Sequence, residues 1–238
     1  MVVQAQGART MLEDPPLLTV LKSWERPSAA ALARLNNVQT GQAVDAMDGR
    51  GGLAQAIKPI DPLCAQMLGT AVTCETGPND NLAILGALAV AKAGDVIVAA
   101  TEAFAHSAVV GDNVALMAKR KGIAGIVVDG MMRDLAGLLP VGLPLFCRGI
   151  TPNSCVRSGP GRVGLPIVAG GVAIRSGDVV IGDRDGVVVI PQGDLVALLP
   201  RIETILAAEA ETQARIKAGF TNLGGIEDLL RSSRVRWV

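Results

Sequence analysis

The sequence predicts a single α/β domain. Three observations carry this reading: 28 of the 238 residues are glycine, half of the chain is apolar, and most glycines punctuate short Val-, Ile- and Ala-rich runs that alternate with helical patterns. That much apolar material buries a substantial core, which excludes a disordered chain.

In order along the chain, residues 1–26 read as an N-terminal arm interrupted by Pro15 and Pro16 and ended by Pro27, its first ten residues a loose extension. The main α/β domain spans residues 27–200. Ser28 is positioned to cap a short helix over 29–35, and a second helix covers about 41–47. Residues 68–74 read as a strand, Asn79-Asp80-Asn81 caps a helix reaching Lys92, and Gly94-Asp95 turns into a strand over 96–100. A helix over 112–121 and strands over 123–128 and 143–147 continue this β-α-β rhythm. From Pro166 the style changes: residues 172–174 and 179–181 are β-rich, and Asp185-Gly186 between two β-branched runs signals a hairpin. The middle of the chain therefore predicts β-α-β units and the second half antiparallel pairing. A long helix from Asp194 to Lys217, broken near its start by Pro200, and a last helix over 226–231 after Gly224-Gly225 supply a C-terminal helical extension, residues 201–238. The long helix sets Ile202, Ile205, Leu206 and Ile216 beside Glu203, Glu209, Glu211 and Arg215, an amphipathic pattern able to face its own domain or a neighbouring subunit.

Composition excludes several functions. Lys and Arg total 22, as do Asp and Glu, so the chain has no electrostatic footprint for nucleic acid or an anionic membrane. Three Phe, two Trp and no Tyr leave few rings on which bases could stack. Cys64, Cys74, Cys147 and Cys155 show no C-x-x-C pairing, and with one histidine in the chain a Cys/His zinc site is excluded; reduced thiols in a cytoplasmic protein are expected. The longest apolar stretch, residues 83–100, contains Lys92 and Asp95 and predicts no spanning helix. Gly159, Gly161 and Gly164 match G-x-G-x-x-G by spacing, but Pro160 and a β-rich continuation deny the helix that a dinucleotide site requires. His106 reads as structural or exposed, and no Ser-His-Asp or Cys-His arrangement is available.

The chemistry concentrates in GDNVALMAKRKGIAGIVVDGMMRD, residues 111–134. Gly111 lets the chain turn and Asp112 begins a helix, so the amides of Asn113 and Val114 are free at the positive end of the helix dipole, a seat for a small carboxylate. The strand that follows ends at Asp129-Gly130, and its loop delivers Arg133-Asp134 to the carboxyl edge of the sheet, where ligands gather in open α/β folds. Taken singly, each feature also has a structural reading: Asp112 as an N-cap, Asp129-Gly130 as a turn, Arg133-Asp134 as a solvated ion pair. Together they lie at ends of elements that a β-α-β unit brings close.

Asp112, twenty intervening residues, then Arg133-Asp134 resembles the D-x(20)-R-D signature of the 4-hydroxy-4-methyl-2-oxoglutarate aldolase family, whose superfamily includes the regulator of ribonuclease activity A. GPNDNLAILGALAVAKAGDVIVAA, LPLFCRGITPNS and GGVAIRSGDVVIGDRDGVVVIP resemble family blocks in the family order, and the likeness extends over roughly residues 37–220. The resemblance implies a compact β/β/α domain with a mixed sheet and C-terminal helices, assembled as trimers or hexamers with sites between subunits. It implies a class II aldolase that uses Mg²⁺ or Mn²⁺ to cleave a 4-hydroxy-2-oxo acid to pyruvate, with oxaloacetate decarboxylation as a side activity. Carried over by position, Asp134 is the metal ligand and Asp112 contacts the metal through water. Arg133 contacts the keto oxygen, and Gly111 and the amides of Asn113 and Val114 surround the carboxylate. An acidic residue of a neighbouring subunit's C-terminal helix completes the shell through water, Glu209 by position with Glu211 in reserve. The same superfamily implies a competing reading, a non-catalytic regulator that binds a protein partner. A menaquinone methyltransferase is set aside because no glycine-rich nucleotide loop is present.

Overall fold

Four parallel strands, Met67–Thr76, Asp95–Ala100, Gly125–Asp129 and Leu145–Cys147, form the centre of a mixed sheet in the computed structural model, which describes residues 15–222 and 225–238. The loose extension expected over the first ten residues lies outside the described residues, as does Gly224. The central strands are buried on both faces, and the alternation of their side chains divides the core in two. Ile97, Ala99, Ile126 and Val128 face a layer built by the helices Leu82–Val90 and Asp112–Arg120, while Val96, Val98, Val127 and Phe146 face Ile167, Ile174, Val187 and Val189.

Around this parallel centre the pairing turns antiparallel. Gly161–Val163 pairs with the far end of Met67–Thr76, and Val179–Gly182 with its beginning. Val179–Gly182 and Val187–Ile190 form the hairpin expected at Asp185-Gly186, but the register joins Gly182 to Val187, so the loop has four residues and only Gly186 of the dipeptide takes a positive φ. Asp183 occupies the loop's first position and accepts hydrogen bonds from the Thr40 amide and hydroxyl, both at 2.8 Å, which ties the hairpin to the helix Thr40–Ala46.

Ser28 caps Ala29–Ala33 through the Ala31 amide, as its position predicts. Leu18–Val20, within the predicted arm, pairs in parallel with Gly161–Val163 and becomes the sheet's outer strand. Arg26 then binds the buried Asp95 through Nε (3.2 Å) and Nη2 (2.8 Å), a forked contact that anchors this segment to the start of a central strand. The helix Leu195–Lys217 runs through Pro200 without a break, unlike the interruption that a proline predicts. Pro200 and Val196, whose carbonyl loses its partner, both lie on the solvent side, where water can take that carbonyl. Leu195, Leu198, Leu199 and Ile202 are buried against Thr40–Ala46 and the hairpin, and the partly buried Ile205 and Leu206 extend that contact to the middle of the helix.

Candidate active site

A second, smaller sheet builds the site. Ala108–Val110, Met131–Met132 and Gly149–Ile150 pair in parallel just beyond the carboxyl edge of the central strands. Each precedes a polar segment: Gly111-Asp112 after the first, Arg133-Asp134 after the second, and residues 151–157 after the third. Parallel pairing brings their exits to one edge, reinforced by bonds from the Arg133 amide to the Val110 carbonyl (3.0 Å) and from the Thr151 amide to the Met132 carbonyl (2.9 Å). These strands are two or three residues long, too short for periodicity to reveal, so pairing alone defines them.

The exits surround a cleft of about 410 Å³. Gly111, Asp112, Asn113, Val114, Arg133 and Asp134 all line it. Asp134 stands in the left-handed region (φ 63°, ψ 42°), which Asp tolerates better than most non-glycine residues, and the backbone bends there into the short helix Leu135–Leu138. Its Oδ2 meets Arg133 Nε at 3.2 Å and lies so close to Gly111 that a Cβ there would stand 2.5 Å away. Asp112 packs equally tightly over Gly137, where a Cβ would meet its Oδ2 at 2.7 Å.

One detail differs from the sequence reading. The Asn113 amide is not free: it donates to Asp112 Oδ1 at 2.6 Å. An aspartate at the first helical position reaches its neighbour's amide, and that competes with an incoming anion for the donor. Val114, one residue further along the helix, lies outside that bond. Glu209 and Glu211 do not reach the cleft within one chain. Glu209 accepts from Gln42 Nε2 at 2.5 Å, far along the terminal helix, and Glu211 is exposed. His106 is exposed and is not among the cleft's lining residues.

Three lining residues escape a reading of the sequence. Ser154 accepts a hydrogen bond from Arg133 Nη1 and steadies the guanidinium; it is the last residue of the LPLFCRGITPNS block, which is the signal that could have found it. Arg157 adds a second cation to the lining. Asn81 reads as a helix cap, but its Nδ2 donates to the Val109 carbonyl (3.2 Å), and its buried Oδ1 has no hydrogen-bond partner among the described residues. Such an acceptor is costly to leave unmet and suits a bound hydrogen-bond donor. Cys155 also lines the cleft, but burial, aided by the charge of Asp80, raises its pKa against the opposing pull of Arg133 and Arg157, so it stays a protonated thiol rather than a nucleophile. Asp129 is more than a turn residue: its carboxylate receives Arg148 Nε and the Gly170 amide (2.7 Å), tying the sheet end to two loops.

Among the described residues no three His, Cys, Asp or Glu side chains gather into a closed metal cage. The cleft instead offers oxygen donors from Asp134, whose side chain is 41% exposed, and from Asp112. That donor set fits a hard divalent cation that keeps much of its water.

A family model described as RraA-like, Aldolase/RraA, matches residues 40–189, a span that holds the four central parallel strands, the hairpin up to Val189 and every lining residue of the cleft. The chain belongs to the RraA-like family. This RraA-like chain is 38% identical, over 84% of its length and 93% of the relative's, to a Halalkalibacterium halodurans protein named "Putative 4-hydroxy-4-methyl-2-oxoglutarate aldolase". Its fold is a mixed α/β domain with C-terminal helices, matching an uncharacterized protein from Pseudomonas syringae (TM-score 0.74, 26% identity, 83% of this chain and 97% of that one). It also matches a Streptomyces coelicolor protein described as an unusual member of the RNase ES inhibitor RraA family (TM-score 0.72, 28% identity, 80% and 100% coverage). Among the described residues no helix is long and apolar enough to cross a membrane.

Proposed function

We propose that this RraA-like chain is a class II aldolase that cleaves the C3–C4 bond of a 4-hydroxy-2-oxo acid, such as 4-hydroxy-4-methyl-2-oxoglutarate, and releases pyruvate. The observation that carries the proposal is the convergence of Arg133, Asp134 and Asp112 on one cleft beside a helix N-terminus. The name of the Halalkalibacterium relative supports the same substrate class.

Asp134 would hold a hydrated Mg²⁺ or Mn²⁺, with Asp112 reaching it through water and Glu209, an acid of a neighbouring copy's terminal helix, contributing to the same site in a trimer or hexamer. When bound, that cation supplies Lewis acidity toward a 2-oxo acid. The Val114 amide and the cleft floor at Gly111 receive the substrate's carboxylate, and the Asn113 amide joins them when Asp112 turns toward water. Arg133, steadied by Ser154, donates to the keto oxygen. Asp112 orients the water that takes the proton from the C4 hydroxyl. As the C3–C4 bond breaks, its electron pair moves into a pyruvate enolate, whose oxygen Arg133 stabilises. The C4 fragment leaves as a carbonyl product, and the same water returns the proton to C3 to yield pyruvate. Electrostatic stabilisation of this kind is often worth about 3–4 kcal/mol per donor. Arg157 is placed to meet a second carboxylate on the substrate. Oxaloacetate loses carbon dioxide to give the same enolate, so decarboxylation accompanies the aldolase reaction.

Pyruvate release measured through lactate dehydrogenase, from 4-hydroxy-4-methyl-2-oxoglutarate and from oxaloacetate, with and without EDTA, tests the proposal. Metal-dependent pyruvate is expected, and Arg133→Lys lowers turnover about 100-fold or more, because the ammonium cannot reproduce the guanidinium fork, with little change in melting temperature. Absence of metal-dependent pyruvate from either substrate favours the reading that the Streptomyces relative suggests, a regulator that binds a protein partner.

A further inference from the structure

We propose that Asp80 is a positioning residue: its buried carboxylate clamps the Ser154–Gly159 loop over the cleft and so sets where Ser154 and Arg157 meet the substrate. The inference rests on the lyase reading for its consequence in turnover, and on geometry alone for the clamp itself.

Asp80 is 4% exposed, and donors meet both oxygens of its carboxylate. Oδ2 accepts from the amides of Ser158 and Gly159, the latter at 2.9 Å. Oδ1 accepts from the Leu82 amide at 2.8 Å and faces the Thr76 hydroxyl at 3.3 Å. One oxygen therefore holds the loop while the other holds the start of the Leu82–Val90 helix; the Thr76 hydroxyl, at the end of a central strand, makes its shorter bond to the Asp80 backbone carbonyl (2.7 Å). Backbone pairing on either side repeats the connection: the Val156 amide donates to the Asn79 carbonyl (2.8 Å) and the Asn81 amide to the Val156 carbonyl (3.1 Å). The same loop contributes Ser154, Val156 and Arg157 to the cleft, and Ser154 accepts from Arg133. Burying a carboxylate is costly unless donors surround it, and here donors hold the charged form below the usual carboxylate range despite its burial.

Asparagine cannot replace it. Whichever way an amide is turned, its NH₂ faces a backbone donor, either the two loop amides or the Leu82 amide. Serine tests the loop separately, because a short hydroxyl still caps the Leu82 amide but does not extend to Ser158 and Gly159.

The experiment compares wild type, Asp80→Asn and Asp80→Ser, with Ile97→Val in the central strand as a control for general destabilisation. Hydrogen exchange of the amides of residues 154–159 and steady-state kinetics with 4-hydroxy-4-methyl-2-oxoglutarate are the readouts. Exchange at these amides is expected to accelerate at least tenfold in both Asp80 variants but not in Ile97→Val, and KM to rise about tenfold while kcat changes less than threefold. Unchanged loop exchange in the variants that fold overturns the clamp, whatever the activity. Accelerated exchange with KM unchanged overturns its role in substrate positioning. A wild-type chain that releases no pyruvate sinks the lyase reading instead, and the exchange result then stands or falls by itself.

Discussion

Replacing Gly111 by alanine isolates the geometry of Asp134 from the stability of the fold. Gly111 has φ −126° and ψ −174°, extended backbone that any residue adopts, so the substitution strains no dihedral. An added Cβ stands 2.5 Å from Asp134 Oδ2 and 3.5 Å from Arg133 Cγ and Nε, whereas ordinary van der Waals contact begins at 3.4 Å. The carboxylate must therefore retreat by about 0.9 Å, the difference between 3.4 and 2.5 Å. With a side chain 41% exposed it has solvent to move into, so the clash is relieved by displacement and not by unfolding. Alanine is a poorer N-cap than glycine, but it also restricts the unfolded chain, and these effects, each of about 1 kcal/mol or less, oppose one another. A cation site tolerates ligand displacements of about 0.2 Å, and a 1 Å misplacement of a reacting group can cost about 100-fold in rate. Expected, then, is a fall in kcat/KM of about 100-fold, or about 2.7 kcal/mol in the barrier, with the melting temperature moved by no more than about 2–4 °C. Lactate dehydrogenase-coupled kinetics and calorimetric titration with Mn²⁺ measure the two halves of this claim. A Gly111→Ala protein that keeps wild-type Mn²⁺ affinity and turnover within threefold refutes the placement of Asp134 as the cation's ligand.

Further expectations test other parts of the site. Ser154→Ala removes the acceptor that steadies Arg133 and is expected to lower kcat/KM about three- to tenfold with melting unchanged, since Ser154 is exposed. Asp134→Ala and Glu209→Ala, each inactive alone, are expected to regain pyruvate release when unfolded and refolded together, because mixed assemblies contain some sites with both acids; no recovery rejects a site shared between copies. The lowered pKa of Asp80 gives a sign in pH: its clamp contributes stability above its ordinary value of 3.8 and loses it as pH falls through the lower folded value. Exchange protection of residues 154–159, corrected for the intrinsic rate, is therefore expected to hold from neutral pH to about 5 and to fail only below 3.8; loss between pH 5 and 7 contradicts it.

Much of the fold is legible in local pattern. The strands Met67–Thr76, Asp95–Ala100 and Gly125–Asp129 are long apolar runs bounded by turn residues, and Ser28 announces its helix because a hydroxyl there meets a free amide. Pro200 misleads for an equally physical reason: the cost of proline inside a helix depends on whether water reaches the freed carbonyl, which is a property of the surface. The strands Leu18–Val20, Met131–Met132 and Gly149–Ile150 escape notice because two or three residues carry no period.

The site divides the same way. Asp112, Asn113, Arg133 and Asp134 stand out along the chain because a helix start and a strand end are recognisable locally, and their spacing carries the family likeness. Ser154, Arg157 and Asn81 join them only through three-dimensional pairing: a parallel strand brings Ser154 to Arg133 across 21 positions, and Asp80 reaches 78 positions to Ser158. The order of residues determines which groups can ionise, turn or cap, since those properties belong to a residue and its near neighbours. Which of them share a cleft was decided by tertiary structure, because proximity between distant segments arises from pairing and burial summed over the whole chain.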